Sequence, residues 1–376
     1  MLERRLLSNL PWGMVTLIAA IALLGIASVY SATYTPQGPS SLFTKQLIWV
    51  FLGVCVMIAA LVPDYHTIGR YAYVLYAVSV AALVLVAIIG RTGMGAQRWL
   101  AIGPFAFQPS ELAKLSLVLA LARFYAEDPR SGNYGLRDLA IPAAMLVVPL
   151  ILVMKQPDLG TALMLAFTAT LITVLAGIRL QAVVAVVLIG VVVASAVFLV
   201  PPVRHAIWTK LKPYQQKRIK AFVDPASDPL GSGYHATQAK IAVGSGQTTG
   251  KGFRKGTQSQ MAFLPERHTD FIFAVIAEEQ GFLGSSLLIV LYVALLLMGV
   301  ETAKNAKDKI GALMAGGITS MLSLYVFINI GMAAGILPVV GVPLPLVSYG
   351  GTSILTTFLA IGLLLNIRSR RFMLFY

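Results

Sequence analysis

The sequence predicts an all-α polytopic membrane protein of about ten transmembrane helices, organised as one domain over residues 1–376 with a large loop at 201–270 between the seventh and eighth helices. Three observations predict it. Of 376 residues, 57% are hydrophobic and 12% charged, against the roughly 25% charged residues of soluble domains, which excludes a soluble enzyme. Mean hydropathy is +0.80. The apolar residues also gather into runs of about 20, the length that crosses a hydrocarbon core of about 30 Å.

In order, the runs lie near residues 12–31, 46–62, 71–89, 110–126, 138–154, 159–176, 181–200, 271–299, 310–333 and 350–367. The first follows Arg4 and Arg5 as a secretory leader would, but its length and the second span close behind it read as an uncleaved helix. An even number of spans places both termini in the cytoplasm. The predicted inner segments hold thirteen Lys and Arg, and the short outer segments hold four: Lys45, Arg91, Arg98 and Lys155. That asymmetry satisfies the positive-inside rule. The formal charge of +14 therefore points to topology and anionic membrane lipid, not to nucleic acid. Cys55 is the only cysteine. It has no disulfide partner in the chain, and no Cys/His cluster has zinc-ligand spacing. No internal repeat supports an inverted-repeat transporter.

The loop at 201–270 carries eleven basic and four acidic residues. Ile207, Trp208, Leu211, Ile219 and Phe222 recur among lysines, as in a basic interfacial helix over 206–222. A surface anchor and a contact with an anionic lipid substrate both remain open there. A short helix over 234–243 ends in Gly244-Ser245-Gly246, and the Gly-rich basic run 248–256 follows. Backbone N–H groups and cations in such a run can wrap phosphate, although no Walker spacing is present. The loop closes at Asp270, where a carboxylate at a helix start serves either as a cap or in catalysis. Glu278 and Glu279 lie deep enough in the next span that at least one should face a protein or wet interior.

Pro109 opens the fourth span and three-residue spacing puts Glu111 and Lys114 on one face, as a structural ion pair or as groups that orient a cavity. Lys155-Gln156-Pro157-Asp158-Leu159-Gly160 reads as a tight turn between two spans. Residues 338–352 are too rich in Pro and Gly for an ordinary helix yet largely apolar. They read as a re-entrant segment that either lines a cavity or terminates helices.

The spans, together with Gln108-Pro109-Ser110-Glu111, Gln156-Pro157-Asp158-Leu159-Gly160, Leu264 to Phe271 and Pro345-Leu346-Val347-Ser348-Tyr349-Gly350-Gly351, resemble the SEDS family of bacterial peptidoglycan glycosyltransferases over essentially the whole chain. Residues 256–260 and 264–270 are more similar to the elongation member than to the division member. The resemblance implies a multi-pass enzyme of the bacterial inner membrane that polymerises lipid II at its outer face during elongation. It implies that Asp270 is the general base for an inverting transfer in which polyprenyl pyrophosphate leaves. Arg98, Gln108, Glu111, Lys114 and Asp158 match recurring polar positions and take positioning roles, and Ser348 in the Pro/Gly-rich stretch is grouped with them. Lys240, Lys251, Arg254 and Lys255 are candidates for offsetting pyrophosphate charge. The resemblance fixes no cofactor, and a divalent cation such as magnesium or manganese bound directly to the phosphates is a further candidate for offsetting their charge. The expected partners are lipid II, a class B penicillin-binding protein, other elongation-complex proteins and membrane lipid. Two other classes stand beside this reading: a lipid II flippase, and a non-catalytic scaffold of the elongation machinery.

Overall fold

The computed structural model describes residues 9–35, 38–93, 96–102, 105–130, 132–179, 231–260, 263–264 and 266–372, with scattered positions between 181 and 216. The expected span near 181–200 and the interfacial helix at 206–222 lie mostly outside these residues. The other expected spans coincide with α1 (Trp12–Thr33), α2 (Ser41–Ala59), α4 (Ala72–Ile89), α5 (Pro109–Glu127), α6 (Ala140–Lys155), α7 (Leu159–Leu175), α10 (Ile272–Lys304), α11 (Lys309–Ala333) and α12 (Gly351–Ser369). Shorter helices are α3 (Tyr65–Arg70), α8 (Ser232–Ser245) and α9 (Thr257–Gln260). Among the described residues, seven helical stretches are each long and apolar enough to cross a membrane. The protein is a polytopic helical membrane protein.

Burial follows composition. Helices α2, α4 and α6 turn large apolar side chains such as Phe51, Ile88 and Ile151 outward, as lipid-facing helices do. Helix α5 is buried along most of its length and packs against α4, α6, α7, α11 and α12. That central place lets it carry Glu111 and Lys114 out of contact with lipid.

The segment between α4 and α5 differs from the plain outer connection expected. It forms an antiparallel sheet of β1 (Arg91–Gly93), β2 (Ala96–Ile102) and β3 (Phe105–Phe107), in that order. Leu100 pairs with Phe107 and Ala101 with Ala106.

Helix α10 is broken at Gly281, whose φ of 67° is open to glycine and strained for other residues. Such a break frees backbone groups, and at membrane depth they need partners. The chain between α8 and α9 supplies them. Lys251 and Gly252 donate N–H groups to the carbonyls of Glu278 and Glu279, at 3.0 and 2.9 Å, while Phe282 and Leu283 donate to the carbonyls of Gln247 and Thr248 at 2.8 and 3.1 Å. Gly246 permits the close approach, since a Cβ there would overlap the Ala277 carbonyl.

Residues 338–350 run without regular structure, with Val342, Leu344, Leu346, Val347 and Ser348 buried. Those five side chains are enclosed by protein, while Gly341 is exposed. Tyr292 of α10 donates to the Pro345 carbonyl, and the backbone at Leu346 and Val347 passes Gly25 of α1, where a Cβ would lie 2.6 Å from both.

Candidate active site

Asp270 is the last residue of the turn 266–270 and stands one residue before Phe271, the N-cap position of α10, which contributes no side-chain cap. The turn is held by the irregular segment beside it. Tyr349 N–H donates to the His268 carbonyl at 2.8 Å. Ser348 Oγ donates to the Thr269 carbonyl at 2.6 Å and accepts from Leu344 N–H at 2.8 Å. Asn329 Nδ2 of α11 donates to the Asp270 carbonyl at 2.9 Å and to the Val342 carbonyl at 2.7 Å. The carboxylate lies against Gly341, where a Cβ would sit 3.2 Å from Oδ2. The carbonyls of His268, Thr269 and Asp270 thus each have an anchor, and the anchors come from α11 and residues 348–349.

Two basic side chains of the turn are shifted by burial. Burial lowers the pKa of His268, with Glu266 opposing and Arg267 reinforcing the shift; the imidazole therefore stands neutral at pH 7. Burial also lowers that of Arg267, whose Nε donates to the Ala32 carbonyl at 2.7 Å.

Among the basic candidates the structure separates four situations. Lys251 Nζ pairs with fully buried Glu278 at 2.8 Å and donates to Thr257 Oγ1 at 2.7 Å. Glu278 also accepts from Gln258 N–H at 2.9 Å. The expected phosphate wrapper is thus occupied in docking to the break in α10. Arg254 lies 3.4 Å over the Tyr34 ring. The Lys240 stem crosses Gly335 just beyond α11, and Lys255 is exposed beside Gly252. Glu279 is buried as well and accepts from Ser31 Oγ at 2.5 Å, so both acids of the span face protein.

A second polar group lies within the helices. Lys114 Nζ is 2.6 Å from Glu111 Oε1, and the two residues are 2% and 4% exposed. Tyr325 of α11, absent from the sequence reading, donates to Glu111 Oε2 at 2.7 Å and places its ring 4.5 Å below Lys114 Nζ. Asp158 caps α7, accepting from Thr161 N–H and Oγ1 at 3.1 and 3.0 Å. Arg98, from β2, donates to the Gln156 carbonyl at 3.0 Å and to that of Pro157. It therefore clamps the turn that presents Asp158. Gln108 N–H donates to Thr352 Oγ1 at 3.1 Å, tying the start of α5 to that of α12. Asn329 and Tyr325 lacked a motif signal, but both are polar residues in an apolar span, and that cost is itself a signal.

Among the described residues no group of three or more His, Cys, Asp or Glu is arranged to hold a metal ion. A ready-made protein cage for magnesium or manganese is not present there.

The sequence matches the family described as "Cell cycle protein", that of FtsW, RodA and SpoVE, over residues 8–372. It is 40% identical to the peptidoglycan glycosyltransferase MrdB of Escherichia coli (strain K12) over 362 residues, covering 96% of this chain and 94% of that protein. It is 30% identical to the peptidoglycan glycosyltransferase RodA of Treponema pallidum (strain Nichols), covering 97% and 98% of the two chains. Among solved structures, a chain of a peptidoglycan synthase complex that coordinates polymerisation and crosslinking superposes with a TM-score of 0.81 at 33% identity, covering 96% of this chain and 98% of that one. The rod shape-determining protein RodA of Thermus thermophilus superposes with a TM-score of 0.70 at 29% identity, covering 97% and 98%.

Proposed function

The chain belongs to the FtsW, RodA and SpoVE family and is a peptidoglycan glycosyltransferase, and from that premise we propose that it polymerises lipid II with Asp270 as the general base. The observation that carries the reading is the number of anchors on the backbone of the turn that carries the half-buried Asp270 to the head of α10. Glycosyl transfer needs an acceptor for the proton of the attacking hydroxyl and a stabilised leaving group. In this reading Asp270 takes the proton of the acceptor GlcNAc 4-hydroxyl as that oxygen attacks the anomeric carbon of the donor. The bond to polyprenyl pyrophosphate breaks on the opposite face, and configuration inverts. In this reading His268 is a neutral neighbour of the carboxylate.

The leaving pyrophosphate is a dianion or more, and in this reading Lys240, Arg254 and Lys255 offset its charge. Lys251 keeps Glu278 neutralised and holds the broken helix instead. Any divalent cation is brought by the pyrophosphate itself. The polyprenyl tail lies along apolar grooves between helices, with sugars and peptide in water.

Charge placement supports the orientation. Arg70, Arg123, Arg130, Lys309, Arg368 and Arg370 cluster at one end through contacts such as Arg123 Nε to Glu127 at 2.6 Å, Lys309 Nζ to the Arg130 carbonyl at 2.7 Å and Arg368 to Glu301 at 2.9 Å. In this reading that end is cytoplasmic, as the positive-inside rule favours, with both termini inside and Asp270 at the outer face of the bacterial inner membrane. The resemblance to a chain of a peptidoglycan synthase complex supports a class B penicillin-binding protein as the partner, within a larger elongation assembly.

The test is polymerisation of lipid II in liposomes by the purified protein, alone and with a peptide-inactive cognate transpeptidase, reading both glycan length and anomeric configuration. Polymer with inverted linkages is expected. Transbilayer movement of lipid II without polymer would replace the reading with transport.

A further inference from the structure

We propose that Asn329 is a positioning residue for this reaction, a two-pronged amide that fixes the two backbone segments meeting at the Asp270 carboxylate; the inference rests on the reading of Asp270 as base. Asn329 is fully buried near the end of α11. Its Nδ2 has two hydrogens, and each has a separate carbonyl: Asp270 at 2.9 Å and Val342 at 2.7 Å. The first carbonyl belongs to the base itself. The second belongs to the residue after Gly341, the backbone against which Asp270 Oδ2 rests. Gly341 has φ +73°, a conformation that residues with a side chain rarely adopt. One amide therefore sets the spacing between the base and its wall.

The choice of residue follows from the donor count. Aspartate at 329 has the same shape but offers acceptors to two carbonyls. Leucine fills the volume and offers nothing. Serine keeps one donor on a shorter arm. Helix spacing adds a further consequence, because Tyr325 lies four residues earlier and shares the face of α11 that carries Asn329. Since Tyr325 donates to Glu111, that face joins the buried ion pair of α5 to the Asp270 turn. Asn329 acts through Asp270 and touches no substrate in this account.

The experiment compares wild type, Asn329→Asp, Asn329→Ser, Gly341→Ala, the Asn329→Asp/Gly341→Ala double variant and Asp270→Asn in lipid II polymerisation, with kcat counted per folded molecule from the monodisperse fraction. A misplacement of about 1 Å costs about 10²-fold in rate. Asn329→Asp is therefore expected to lose about that much kcat with little change in KM, and Asn329→Ser less. Residues that act on one carboxylate are coupled, so the double variant should lose no more than its worse parent. Wild-type kcat in folded Asn329→Asp, a loss carried by KM alone, or independent multiplication in the double variant would each overturn the proposal. Should Asn329→Asp fail to fold, the same criteria apply to Asn329→Ser. An active Asp270→Asn would instead remove the base reading itself, whereas inactive Asp270→Asn beside fully active Asn329 variants would remove only this inference.

Discussion

Replacing Lys114 by methionine strands a carboxylate at membrane depth, and the geometry sets the cost. The ammonium lies 2.6 Å from Glu111 Oε1, and with the two residues 2% and 4% exposed no bulk water can take its place. Removing one partner of a buried pair costs about 3–5 kcal/mol. Tyr325→Phe removes a single hydrogen bond to a charged acceptor, worth about 1.5–3 kcal/mol, so it should rank below Lys114→Met. Removing both charges together with the phenol donor, as Glu111→Leu/Lys114→Met/Tyr325→Phe, leaves no orphaned polar group. That variant should match wild-type stability or exceed it by about 1–4 kcal/mol. The assay is resistance to denaturant in mixed micelles, with lipid II polymerisation measured in parallel. Stability regained without activity assigns the triad to positioning; both regained together assigns it to structure alone. Lys114→Met within about 1 kcal/mol of wild type would refute the reasoning, because a pair this dry cannot lose one charge at so little cost.

Two other perturbations follow from the geometry. His66 bridges Asp64 and Asp308 at 2.8 and 2.5 Å, while Tyr65 donates to Asp308 and Arg370 stands 3.7 Å from Asp64. Burial alone would pull the imidazole down, but the hydrogen bonds and charges of the two carboxylates leave its pKa above the usual 6.5. A raised folded value contributes stability that is full below about 6.5 and is lost as pH rises through the folded pKa. Thermal inactivation followed across that window should quicken with pH in wild type and stay level in His66→Phe; a wild-type slope in the variant would count against the bridge. Gly246→Ala should push the 247–252 loop off α10 by overlap with the Ala277 carbonyl, releasing four backbone bonds. Hydrogen exchange should then quicken at Phe282 and Leu283, and unchanged protection there would contradict the docking.

The spans were legible because lipid demands long apolar runs, and a run such as 310–333 survives the presence of Tyr325 and Asn329. Buried α5 was legible for the same reason, and so was its ion pair, since three-residue spacing alone put Glu111 beside Lys114. The sheet at 91–107 was not. Its strands of three to seven residues carry no clear alternation, and what places it is the reach of Arg98 to carbonyls more than fifty residues away. The break in α10 was also hidden, because the run 271–299 reads as continuous and the groups that satisfy Gly281's neighbours come from residues 247–252. Lys251 shows the same limit. A basic Gly-rich stretch signals phosphate, yet here the lysine meets a buried glutamate that only the folded chain brings near. Asp270 was visible by its place at a helix start, but its anchors at Asn329, Ser348 and Tyr349 depend on a tertiary meeting of three segments.

In the proposed mechanism the Asp270 carboxylate, carried on an anchored turn, takes the acceptor proton. The most direct measurement is the rate of lipid II polymerisation by equally folded wild type and Asp270→Asn in defined liposomes, each with the transpeptidase partner held inactive toward peptides. The account predicts polymer from wild type and a loss of at least about 10²-fold in the amide variant, the contribution of a positioned base. Equal polymer from the two would contradict it.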